Sequence, residues 1–277
     1  PDGKTLASAG LDSAVKLWNR NGELLTTLEK RSVAVKFSPD GQMLAAAGED
    51  RTVNLWTIKG DLIASLDGHL SLIIAMAFSP DGELLMTGEF TNDPNQPVVA
   101  KLWRTDGTLV ATLNGHSGLL YGVQFTPDGK TAITGGWQGK IQTWQTDGTL
   151  IKSWQAHEAG GIYDLQVSPD GQRLVSVRED NTIKLWTLDG ELQQTLRGHR
   201  DDAIKGRFSP DGDILASAGE DTTVRLWQLD GKLITTIEGH QDWAIDLDFS
   251  PDGRTIASAS RDGTAKLWNF SLDTLMT

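Results

Sequence analysis

Residues Gly198 to Ile237 read GHRDDAIKGRFSPDGDILASAGEDTTVRLWQLDGKLITTI, and their alternation decides the fold. Ile204, Gly206 and Phe208 fall on one side and Lys205 and Arg207 on the other, the two-residue period of a strand, here strand A. Ser209-Pro210-Asp211-Gly212 follows as a tight turn: Pro presets φ at its second position and Gly accepts positive φ at its fourth. Ile214 to Ala218 is read as strand B. A short turn at Gly219-Glu220-Asp221 leads to strand C, Val224 to Trp227, and Leu229-Asp230-Gly231-Lys232 makes a hairpin into strand D, Leu233 to Ile237.

The pattern recurs along the whole chain. Pro-Asp-Gly anchors stand at Pro1, Pro39, Pro80, Pro127, Pro169, Pro210 and Pro251, each followed by a tryptophan: Trp18, Trp56, Trp103, Trp144, Trp186, Trp227 and Trp268. Successive anchors lie 38, 41, 47, 42, 41 and 41 residues apart. A period near 41 signals stacked repeat units, and four short antiparallel strands per unit make one propeller blade. Helical periodicity appears over no useful length. The expectation is an all-β chain, a seven-bladed β-propeller of four-stranded antiparallel blades, with residues 1–277 as a single domain. The opening Pro1-Asp2-Gly3 should follow a strand A that the sequence does not contain, so the chain reads as a fragment of a longer protein whose first blade lacks that strand.

Composition narrows the function classes. The 277 residues carry a net charge of −12 and no cysteine. The charge disfavours phosphate backbones and acidic lipid surfaces, which are held by clustered Lys and Arg. The missing cysteines exclude disulfides, thiolate catalysis and Cys-ligated zinc. No apolar stretch approaches the roughly 18 residues of a membrane span, and no leader is visible. A cytoplasmic location follows as an expectation, with neither nucleic acid nor membrane as a partner. Many of the aspartates, such as Asp211 and Asp230, sit in Asp-Gly turns that turn geometry selects whatever the function.

The period, the Gly-His opening at Gly68-His69, Gly115-His116, Gly198-His199 and Gly239-His240, and the Ser-Pro-Asp-Gly turn together resemble the WD-repeat propeller family over essentially the whole chain. The Asp of the family's name is absent: Asn19, Thr57, Arg104, Gln145, Thr187, Gln228 or Asn269 follows the tryptophan. The resemblance implies a hydrogen-bonded tetrad in each blade, made of a His before strand A, a Ser or Thr on strand B, an Asp in the B–C turn and the strand-C Trp. Complete sets are expected at His157, Ser176, Asp180 and Trp186; at His199, Ser217, Asp221 and Trp227; and at His240, Ser258, Asp262 and Trp268. The second unit, with Glu29-Lys30-Arg31-Ser32 in place of Gly-His and Ala46 in place of the hydroxyl, should have a broken tetrad.

A Ser, a His and an Asp in proximity invite comparison with a nucleophilic triad. A catalytic set is needed once per site, whereas this one recurs in blade after blade, so the structural role is preferred. No phosphate loop or nucleophile elbow is present, and no metal or cofactor is expected. Asp246 and Asp248 alternate with Ile245, Leu247 and Phe249, which suits pairing with Lys205 and Arg207 of the preceding blade better than a calcium site.

Candidate binding residues come from what breaks the repeat. The D–A and B–C connections share one end of each blade, called the top. Trp137 occupies the B–C turn, where other blades carry Glu49, Glu179, Glu220 and Arg261; Trp243 begins strand A, where others carry Leu72, Leu119 and Asp202. Each tryptophan either anchors a partner or tucks between loops. Thr91 to Pro97 is the one sizeable insertion and is read as a top loop. The favoured function is a non-enzymatic scaffold that binds a protein or peptide on the top face, as a monomer unless the longer protein oligomerises. The alternatives are the sensor domain of a nucleotide-driven signalling protein and, last, an enzyme with its site in a central channel.

Overall fold

Each turn between strands A and B closes on itself. In the sixth blade the Ser209 hydroxyl donates to Asp211 Oδ1, Ser209 Oγ accepts the Ile214 N–H (3.1 Å), and Asp211 Oδ1 accepts the Asp213 N–H (3.2 Å). Gly212 sits at φ +78° with its N–H on the Ser209 carbonyl (2.9 Å). Ser38, Ser79, Thr126, Ser168 and Ser250 repeat the arrangement with Asp40, Asp81, Asp128, Asp170 and Asp252.

The computed structural model describes residues 3–10, 14–93, 95–158, 160–178 and 180–270. Blade 1 holds β1 (Thr5–Ala9), β2 (Val15–Asn19) and β3 (Leu24–Leu28); blade 2 holds β4 (Ser32–Phe37), β5 (Met43–Gly48), β6 (Val53–Thr57) and β7 (Leu62–Leu66). Blade 3 is β8 (Leu72–Phe78), β9 (Leu84–Phe90), β10 (Pro97–Arg104) and β11 (Leu109–Ser117). Blade 4 is β12 (Gly122–Phe125), β13 (Thr131–Gly135), β14 (Lys140–Gln145) and β15 (Leu150–Gln155). Blade 5 is β16 (Ile162–Val167), β17 (Arg173–Arg178), β18 (Thr182–Thr187) and β19 (Leu192–Arg197). Blade 6 is β20 (Ala203–Phe208), β21 (Ile214–Gly219), β22 (Val224–Gln228) and β23 (Leu233–Ile237), and blade 7 is β24 (Ala244–Phe249), β25 (Thr255–Ser260) and β26 (Ala265–Asn269). Neighbouring strands in each sheet follow chain order and pair antiparallel. The chain is an all-β, seven-bladed propeller whose first and last blades show three strands among the described residues. Leu272 to Met276, where the repeat would put a short strand D of blade 7, lies outside them.

The chain divides into two compact units. The first is Pro1–Trp137 with Ile141–Ser153, and the second is Gln138–Lys140 with Trp154–Thr277. Within each unit the apolar cores lie between successive blades. In the first, Leu17 and Leu28 of blade 1 pack with Leu44 and Trp56 of blade 2, and Leu55 and Leu66 of blade 2 pack with Leu85 and Trp103 of blade 3. In the second, Val175 and Leu185 of blade 5 meet Leu215 and Trp227 of blade 6. The repeated tryptophan therefore serves the preceding blade as well as its own.

Strand A carries a β-bulge in five blades, where pairing skips one residue: Val33, Ile74, Tyr163, Ile204 or Ile245. All five are apolar, and Val33 and Ile245 are 45% and 38% exposed. A bulge releases one residue from the ladder and re-aims its side chain. Near the bulges of the second unit, Lys205 of blade 6 bridges Asp164 of blade 5 and Asp246 of blade 7, each at 3.5 Å, and Arg207 pairs with Asp164. Ion pairing between blades thus involves Asp246 with Lys205, while Arg207 turns to Asp164, an acid the sequence pattern did not single out.

Candidate functional site

The tetrads set the geometry of the top. In blade 6 the Trp227 indole N–H donates to Ser217 Oγ (2.8 Å), the Ser217 hydroxyl meets His199 Nε2 (2.7 Å), and His199 Nδ1 lies 2.9 Å from Asp221 Oδ1. Nδ1 donates to the carboxylate, so Nε2 accepts the hydroxyl hydrogen and each side chain of the tetrad is matched to the next. Blade 7 repeats this with Trp268, Ser258, His240 and Asp262 at 2.8, 2.7 and 3.0 Å. Burial alone would raise the Asp221 carboxyl, but hydrogen bonds from His199, the Arg200 N–H and Thr223 hold it well below the usual carboxylate range.

Blade 5 departs from expectation. Trp186, Ser176 and His157 are linked as before, both contacts at 2.8 Å, but Asp180 is not bonded to His157. Arg178 Nη1 donates to Asp180 Oδ2 (2.9 Å), and Thr182 donates to Oδ1 through both its N–H and its hydroxyl. His157 Nδ1 and Arg178 Nε are buried with no hydrogen-bond partner among the described residues. A guanidinium two residues away competes for the carboxylate more strongly than an imidazole does, because its charge and forked donors are always available. Burial, with help from Lys184 and Arg178 and against the pull of Asp180, pushes the His157 imidazole down to about 3.

Two further blades improvise. In blade 3, His69 Nδ1 meets Glu89 Oε1 (2.9 Å) on β9, so the acid comes from strand B and the hydroxyl from Thr87. Sequence spacing missed Glu89 because the insertion displaces the B–C turn; a buried-strand carboxylate two residues after Thr87 was the available signal. In blade 2, Lys30 stands in for the imidazole, with Nζ on both oxygens of Asp50 (2.8 and 2.7 Å) and on Thr52. Lys30 is 6% exposed, so this blade has a buried cation in place of the tetrad. Asp12, which stands six residues before Trp18 as Asp221 does before Trp227, lies outside the described residues.

The candidate binding residues fall at two repeated places, one opening strand A and one in the B–C turn, and the backbone joins them in pairs. The Trp137 N–H donates to the Leu119 carbonyl (2.8 Å), that of Glu220 to Asp202 (2.8 Å), and that of Arg261 to Trp243 (3.0 Å). The side chains differ from blade to blade. Blade 2 has an ion pair, Arg31 to Glu49 at 3.4 Å. Blade 6 has Asp202 beside Glu220, and in blade 7 the Arg261 guanidinium stacks over Trp243, 3.7 Å from its ring centroid. Glu179 lies outside the described residues.

Blades 3 and 4, both in the first unit, are apolar at these places. Leu72 pairs with Phe90 across β8 and β9, Phe90 forms a β-bridge to Leu119, and Leu119 holds Trp137, so four half-buried side chains make one patch. Leu70 (78% exposed) and Tyr121 (39%) flank them in sequence. Phe90 was missed from the sequence, although it occupies the same tenth position after its anchor proline as Trp137. The insertion borders the patch: the Thr91 N–H bonds the Gly118 carbonyl (2.9 Å) and the Gly118 N–H the Gln96 carbonyl (3.0 Å), while Pro97 already begins β10. Among the described residues the insertion is the expected loop up to Gln96, tied to Gly118, and only Pro97 belongs to a strand.

Blades with these turns and His–hydroxyl–Trp chains define a WD-repeat type of propeller. The family model of the IFT122 first beta-propeller matches residues 1–269, and the chain belongs to that family. No curated protein matches the chain. Family and fold fit a protein-interaction scaffold in general terms.

Proposed function

We propose that this chain is a non-enzymatic scaffold that binds a protein or peptide at the top of blades 3 and 4. The observation that supports the reading is the apolar set Leu72, Phe90, Leu119 and Trp137 at places that hold an ion pair in blade 2 and two carboxylates in blade 6. The fold is built equally well with charges there, so the apolar residues are not required for folding. A contiguous, half-exposed apolar patch rimmed by polar groups is the usual mark of an interaction site. Trp243, stacked under Arg261, offers a second aromatic contact in the other unit.

Affinity capture from the source cells, followed by calorimetry with the identified partner, tests this. Trp137→Ala is expected to weaken binding by about 30-fold, the value of a central aromatic anchor near 2 kcal/mol, with an unchanged melting temperature. Full affinity in Trp137→Ala and Leu119→Ala would move the site elsewhere.

A further inference from the structure

A cleft of about 740 Å³ lies at the top of blade 6, lined by Arg200, Thr222, Arg225, Thr236, Glu238 and Gly239, among others. One residue of its wall, Arg225, stands where other blades carry a lysine. Two residues before the strand-C tryptophan, blades 3, 5 and 7 carry Lys101, Lys184 and Lys266, and each Nζ reaches the carbonyl of the residue before the tetrad His: Gly68 (2.8 Å), Ala156 (2.9 Å) and Gly239. Blade 6 has Arg225 there. Its guanidinium turns instead to Asp221 Oδ2 (3.3 Å) and Thr223 Oγ1 (3.2 Å), so the lysine-to-carbonyl bond of blades 3, 5 and 7 has no counterpart on Gly198 among the described residues.

Two observations mark the cleft as more than spare room. Thr222 takes φ +68°, a conformation costly for a β-branched residue, where blades 4 and 7 place Gly139 and Gly263 and blades 2 and 5 the unbranched Arg51 and Asn181. Strained backbone of this kind concentrates at ligand sites. The charges are also divided: Arg225 and Asp221 satisfy one another, whereas Arg200 and Glu238 present exposed side chains with no hydrogen-bond or ion-pair partner among the described residues. One unengaged guanidinium and one unengaged carboxylate on a shared polar cleft complement a molecule that carries both opposite charges.

We propose that this cleft binds a small zwitterion of the amino-acid class, with its carboxylate on Arg200 and its ammonium on Glu238. The volume leaves space for the ligand's side chain and lies within the range of small-molecule sites. The site is independent of the apolar patch on blades 3 and 4.

Amide NMR titration of the isotopically labelled chain with free L-amino acids tests the proposal, with acetate and methylammonium as single-charge controls. Saturable shifts at Thr222, Thr223 and Gly239 are expected with at least one amino acid and with neither control. Arg200→Ala and Glu238→Gln should each weaken binding by about tenfold or more, since each removes a charged hydrogen-bond partner, and both exposed changes should leave the melting temperature unmoved. The proposal is overturned if no amino acid gives saturable shifts at millimolar concentration. It is equally overturned if acetate alone reproduces them, or if both variants bind like the parent chain.

Discussion

Replacing the tetrad acid should cost blade 6 far more than blade 5, although the two positions are identical by spacing. Asp221→Ala strips the acceptor from His199 Nδ1, whose side chain is fully buried, and from the Arg225 guanidinium, while the Arg200 N–H turns to solvent. Removing one partner of a buried, hydrogen-bonded charge pair costs about 3–5 kcal/mol. Among the described residues, Asp180→Ala takes from blade 5 the Arg178 pair and the Thr182 turn bonds, and His157 Nδ1 has no bond to the carboxylate to lose. A third of the Asp180 side chain is exposed, so a cost of about 1–2 kcal/mol is expected. The gap is roughly 2 kcal/mol. Urea unfolding followed by tryptophan fluorescence reads the global difference. Because repeat chains need not unfold in one step, native-state hydrogen exchange should also be followed at β21 and β22 for the first variant and at β17 and β18 for the second. Equal costs, or a larger one for Asp180→Ala, would show that the His–Asp bond contributes little and that the tetrad reasoning is wrong.

His157 predicts a pH effect of definite sign. Its folded pKa lies below the unfolded value, so the unfolded chain binds the extra proton, and stability falls as pH drops from about 6.5 toward about 3. His157→Gln should flatten that part of a stability-against-pH curve, and an unaltered slope would refute the burial account. The depressed Asp221 carboxyl acts in a lower window: its contribution is complete above the unfolded carboxylate pKa, about 4, and is lost as pH falls below it, a loss that Asp221→Asn should remove. Two glycines separate conformational strain from collision. Gly22 sits at φ +80° with open space where a methyl group would stand, so Gly22→Ala should cost about 1 kcal/mol; Gly139, at φ +70°, would drive its methyl into the His157 carbonyl and should cost several times as much by thermal denaturation.

The propeller was legible because its signals are local and repeated: a Pro-Asp-Gly turn and a strand period of two need no knowledge of distant contacts. The tetrads of His199 and His240 were legible for the same reason. Blade 5 failed because spacing places Asp180 correctly but is silent on Arg178, whose competition is a matter of side-chain reach. Blade 3 failed because an insertion moved the acid from the turn to Glu89 on a strand. Among the binding candidates, Trp137 stood out by residue type, whereas Phe90 became visible only when a β-bridge joined it to Leu119. The blade 6 cleft had a fainter sequence signal, Arg225 where blades 1, 3, 5 and 7 carry lysine and blades 2 and 4 carry Asn54 and Gln142.

The strand-A bulges have an evolutionary consequence. A residue outside the ladder can be exchanged without shifting the register of its neighbours, so Val33, Ile74, Tyr163, Ile204 and Ile245 are five sites at which selection can rewrite surface chemistry blade by blade. The propeller thereby separates what fixes its shape from what can vary: tetrads and turns hold the register, while a residue released from the ladder can change without disturbing it.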